Sequence, residues 1–119
     1  MTVMTMPELV TATRVLVDPE LPAVLAGAAM GGGGAASLCH DRATLLSQAG
    51  PHAVCVLADV HPLAVEVLVR RGCEVVAVST SSGPRAESWL REVVEAGAVV
   101  ALVTPDVPAL QGALRLACA

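Results

Sequence analysis

The chain has 119 residues, room for one domain and no second one. Its 55% hydrophobic and 15% charged residues exclude a disordered chain, and with one Trp and no Phe or Tyr the core must be aliphatic. A net charge of −4, with no Lys and every basic residue an Arg, argues against direct nucleic-acid contact and excludes Schiff-base and P-loop lysine chemistry.

Residues 1–13 read as an N-terminal tail and 14–119 as a single domain. Met1 to Glu8 has no basic region before an apolar run, so it does not read as a signal peptide. The expected location is the reducing cytoplasm, with Cys39, Cys55, Cys73 and Cys118 as free thiols. Arg14 to Val17 is the first short apolar run. Leu21 to Met30, after Pro22, is an Ala/Leu-rich helix. The uncharged stretch Leu21 to Cys39 is long enough to raise the question of a membrane span, but Gly31 to Gly34 break it. These glycines lie between a helix and a strand with no Gly-Lys-Ser/Thr, so they connect elements instead of cradling phosphate.

Ala35 to Cys39 is the second run. Asp41 is placed to cap a helix over Arg42 to Ala49, stopped by Gly50-Pro51. Ala53 to Ala58, Glu74 to Ser79 and Ala98 to Val103 follow as Val-rich runs. Pro62 opens Leu63 to Arg71, Pro84 opens Arg85 to Ala96, and Pro108 opens Ala109 to Ala117. Gly72 and Gly97 stop the first two of these. Near-continuous apolar runs fit strands buried on both faces of a parallel sheet. Strands alternating with helices imply a doubly wound α/β fold. Function in such sheets gathers at the carboxyl ends of the strands. The polar residues found there are Asp18 and Glu20, His40 and Asp41, Asp59 and His61, Thr80 to Ser82, and Thr104 with Asp106. Thr80 to Ser82 could cradle an anion at a helix start or serve as turn chemistry. Cys39 with His40, and His52 with Cys55, are ligand types without zinc spacing.

The ordered set RVLVDPE (Arg14 to Glu20), VLAD (Val56 to Asp59), VVAVST (Val75 to Thr80), EAGA (Glu95 to Ala98) and LVTPD (Leu102 to Asp106) resembles the receiver domain of two-component response regulators. The resemblance covers about residues 14 to 119. It implies a flavodoxin-like, five-stranded parallel sheet in order 2-1-3-4-5 with helices on both faces. It also implies a Mg²⁺ site using Asp18 and Asp59, with Asp59 as phosphoacceptor. Thr80 would contact the phosphoryl group, and Thr104 falls where the family has a Lys that does the same.

The chain departs from the family at several of these positions. Pro19 replaces the second acid, leaving Glu20 as a displaced substitute. Thr104 supplies no ammonium to neutralise a phosphoryl group. Ala101 replaces the aromatic switch residue, and the loop after Asp59 is reduced to Val60-His61-Pro62. The expectation is a degenerate, non-enzymatic receiver-like regulatory domain of a two-component-type response regulator, poorly or not phosphorylated. Weak Mg²⁺ binding at Asp18, Glu20 and Asp59 is its only expected cofactor. It would act through protein–protein contacts, as a homodimer or with a signalling partner, and without a membrane. Trp89, Arg91 and Arg115 on the last two helices are the expected interface. An alternative is a small-ligand domain binding cobalamin or a nucleotide. Asp59-Val60-His61 resembles part of the cobalamin-binding motif, in which a His ligates cobalt and the Asp orients it.

Overall fold

The structure is a computed structural model that describes residues 14–31 and 35–118. The expected tail at 1–13, Gly32 to Gly34 of the glycine run, and Ala119 lie outside the described residues. Strands and helices alternate: β1 (Arg14–Val17), α1 (Ala23–Met30), β2 (Ala35–Leu38), α2 (Arg42–Gln48), β3 (Val54–Ala58), α3 (Pro62–Arg70), β4 (Glu74–Ser79), α4 (Pro84–Glu95), β5 (Val100–Val103) and α5 (Val107–Cys118). The five strands form one parallel sheet in the order β2-β1-β3-β4-β5, as the resemblance implied.

Side chains on a strand alternate between faces, so a strand buried on both sides feeds two cores. β3 does this along its whole length. Cys55 and Leu57 join Leu45 of α2, Val65 and Leu68 of α3, and Val93 of α4. Val54, Val56 and Ala58 join Leu25 and Ala29 of α1 and Leu110, Ala113 and Leu114 of α5. Both layers are aliphatic, as the composition requires.

The differences from expectation are at the sheet's margin. β2 was expected to be buried on both faces, but Leu38 is 52% exposed. β2 is an edge strand with one neighbour, and its Ala and Ser side chains offer little to cover. α5 starts at Val107, before Pro108, because the Asp106 carboxylate accepts from the Ala109 N–H at 2.9 Å and caps the first turn. Asp41 caps α2 as expected, accepting from the Thr44 N–H at 2.7 Å, and those hydrogen bonds hold its carboxyl below the ordinary value. Gly97 ends α4 at φ 114°, and a Cβ there would lie 3.0 Å from Val69 of α3. Only glycine fits both the backbone and the gap. Among the described residues no helix is long and apolar enough to cross a membrane.

Candidate functional site

The carboxyl ends of β1, β3, β4 and β5 bring Asp18, Asp59, Thr80 and Thr104 to one edge of the sheet. Asp18 follows β1 and its side chain is fully buried. A carboxylate there must be paired and hydrogen-bonded. The Glu20 N–H donates to Oδ1 at 2.9 Å and the Ala58 N–H to Oδ2 at 3.0 Å. Arg42, the first residue of α2, supplies the counter-charge. Its Nε donates to Asp18 Oδ2 at 3.1 Å, and its Nη2 donates to the same oxygen. The Nη2 group also donates to the Ala58 carbonyl. Arg42 Nε lies 3.6 Å from Glu20 Oε2, completing a cluster of one guanidinium and two carboxylates.

Asp59 belongs to the same edge but turns the other way. It follows β3 at φ 47°, anchored by its N–H donating to the Val78 carbonyl at 2.7 Å. The Thr80 N–H donates to its Oδ1 at 2.9 Å, and the Thr80 hydroxyl donates to Oδ2. Thr80 is therefore next to Asp59. Asp18 and Asp59 sit at the ends of paired strands, but Asp18 is engaged toward α2 and Asp59 toward β4.

Thr104 is exposed beyond β5, and its N–H donates to the Ser79 carbonyl at 2.8 Å. Its φ is 42°, which costs a β-branched residue about 1–2 kcal/mol. Ala101 sits mid-strand and packs its methyl on the core below α4. Between the starts of α1 and α5 a mainly apolar cavity of about 450 Å³ opens beside Thr80 and Thr104, walled by Pro22, Leu25 and Val107. The loop at 80–82 is turn chemistry: Ser79 Oγ donates to the Ser81 carbonyl at 2.7 Å, and the Thr80 hydroxyl is engaged by Asp59.

Among the described residues no three His, Cys, Asp or Glu side chains are arranged to hold a metal ion. Of the expected set, Asp18 and Glu20 share Arg42, while Asp59 is held by Thr80. A carboxylate offers about four acceptor positions. Asp18 already receives four donors, two of them from a cation. Sequence reasoning missed Arg42, which lies 24 positions from Asp18. One signal for it was present: an Arg at the first position of a helix opposes the dipole and needs a nearby acid to justify it.

The other candidates separate clearly. His61 caps α3, its Nδ1 accepting from the Leu63 N–H at 3.1 Å. Asp59 is bonded to Thr80, not to His61, so the Asp–His pair of the cobalamin motif is not formed. Trp89 is half-buried against the core, and its indole N–H donates to the Val60 carbonyl at 2.7 Å. Arg91 and Arg115 are exposed on α4 and α5. Cys39, Cys55 and Cys73 are buried free thiols, and burial pushes Cys55 up to about 12. Burial also raises Cys39, Cys73 and Cys118, so none is poised as a thiolate.

No family model matches the chain, and no curated protein matches it in sequence. Among solved structures, it is similar to the crystal structure of HP1043, an orphan response regulator of H. pylori. The two share 18% identity with a TM-score of 0.69, over 92% of this chain and 98% of that one. The strand order, the parallel pairing and this superposition establish the fold: a flavodoxin-like, doubly wound five-stranded sheet of the kind found in that response regulator.

Proposed function

We propose that the chain is a receiver-type regulatory module that works by protein–protein contact and without phosphotransfer at Asp59. The observation that carries the reading is the setting of Asp59. Its carboxylate is held by Thr80, and no cationic side chain among the described residues is bonded to it. Thr104, where the family pattern has a Lys, brings a hydroxyl on a strained backbone and no charge. Transfer of a phosphoryl group needs its developing charge neutralised. Arg42, which reaches this edge from α2, is bound to Asp18.

Contact is proposed through α4, β5 and α5. β5 is the second edge strand, and α4 and α5 flank it from opposite faces. Arg85, Glu87, Arg91, Glu92 and Arg115 are exposed and make no ion pair within the described residues. Mixed charge on a small surface suits a self-complementary pairing of two copies.

Incubation with acetyl phosphate and Mg²⁺, followed by intact-mass measurement, tests the reading. The expected result is no stable phosphoryl adduct, with labelling rising in Thr104→Lys. An adduct on the unaltered protein that Asp59→Asn abolishes would overturn it.

The small-ligand alternative has one feature in its favour, the cavity beside Thr80 and Thr104. A nucleotide is disfavoured there, because Asp106 lines the cavity and no Arg does. A visible absorbance band in the purified protein would revive the corrin or flavin form of that reading.

A further inference from the structure

Arg42 starts a helix that has no acidic residue in its first turn, so its charge works against the helix dipole. The gain that keeps it there lies outside the helix. Its guanidinium reaches three oxygen centres: the Asp18 carboxylate, the Glu20 carboxylate and the Ala58 carbonyl. Carboxylate and carbonyl oxygens are the donors a hard divalent cation selects. Asp18 is fully buried, while the Arg42 side chain is 25% exposed, so the cation closes the pocket from its solvent side.

We propose that Arg42 is the resident cation of this pocket, taking the place among Asp18, Glu20 and the Ala58 carbonyl that a divalent metal would need, and so shutting metal out. The two cations are not equivalent. A guanidinium is covalently held, carries one charge and donates in a fixed planar fork. It cannot leave, and two of its nitrogens, Nε and Nη2, are committed to Asp18. It also pins the start of α2 to the ends of β1 and β3, which a dissociable ion would do only when bound. None of this depends on the domain being regulatory, and the acetyl phosphate test of Asp59 is read independently of it.

Thermal unfolding, followed by Trp89 fluorescence in EDTA and in millimolar Mg²⁺, tests the proposal. The unaltered protein is expected to unfold at the same temperature in both. Arg42→Ala leaves a buried carboxylate unpaired and is expected to lower the midpoint in EDTA by on the order of 10 °C. Mg²⁺ should restore most of that loss by binding the vacated oxygens in the folded state. The double variant Arg42→Ala with Asp18→Asn should regain part of the stability without metal and ignore Mg²⁺. A midpoint of the unaltered protein that rises with Mg²⁺ would overturn the proposal, and so would an Arg42→Ala protein indifferent to it. Should Arg42→Ala not fold in EDTA, its refolding yield from urea gives the same decision. A yield that rises with Mg²⁺ supports the proposal, and a yield that does not overturns it.

Discussion

At the scale of single residues, the chemistry of the site turns on which groups are already engaged. Asp18 is a metal-ligand type but is already paired with Arg42; Asp59 is a phosphoacceptor type and is held by the Thr80 hydroxyl. Neither state was legible in the sequence, which places Asp18 and Asp59 correctly after β1 and β3 but does not show their partners. Thr80 could be paired with Asp59 by resemblance alone. Arg42 could not, because its contact depends on α2 starting over the ends of two strands far away in the chain. Buried thiols make a residue-scale prediction about pH. Cys55 ionises near 9.0 when unfolded and only at about 12 when folded. Between these values the unfolded state binds fewer protons, so stability falls as pH rises. The slope from this thiol is about 1.4 kcal/mol per pH unit. Cys39 and Cys73 shift in the same direction and steepen it. Urea midpoints under reducing conditions should therefore fall between about pH 8 and about pH 10.5, and Cys55→Val should flatten the fall. Midpoints that do not change over this range would show that the thiols are not protected by burial.

At the scale of elements, most boundaries were readable because the punctuation is chemical. Pro62 and Pro84 stand at helix starts, and Gly72 and Gly97 at helix ends, where the backbone calls for them. The start of α5 was misplaced because Pro108 drew the boundary while the capping carboxylate of Asp106 set it. β2 was readable as a strand but not as an exposed one, since edge position belongs to the sheet and not to the run of residues. The close packing of α3 against the turn after α4 was also invisible, and it is testable. Gly97→Ala forces a left-handed backbone on a residue with a Cβ and drives that Cβ against Val69. The expected loss is about 2 kcal/mol or more in urea unfolding. Adding Val69→Ala should not restore the parent stability, because it relieves the contact but not the backbone. A Gly97→Ala protein as stable as its parent would contradict this geometry.

At the scale of the whole molecule, the doubly wound order puts β5 at an edge and leaves α4 and α5 on either side of it. Exposed ion pairs contribute about 0–1 kcal/mol each, so apolar contacts must supply most of any affinity. Trp89 reads as either core or a contact anchor; its indole N–H is tied to the Val60 carbonyl and its half-buried ring packs on the core. Val94 and Leu116, 51% and 63% exposed, are exposed apolar groups on the same two helices. Sedimentation at increasing concentration should show a weak-to-moderate homodimer that Arg91→Glu loosens. A strict monomer at high concentration would count against the α4–β5–α5 face. The central claim is that chemistry at Asp59 does not drive this face, since Ala101 has no ring to rotate and Thr104 no charge to engage. The chain has one Trp, so its indole N–H gives a single resonance, and it reports from beside Asp59 through Val60. The most direct test is the position of that resonance on adding beryllofluoride, an acyl-phosphate mimic, with Mg²⁺. It should stay where it is, whereas a saturable shift of the Trp89 indole together with the amides of α4 and β5 would contradict the account.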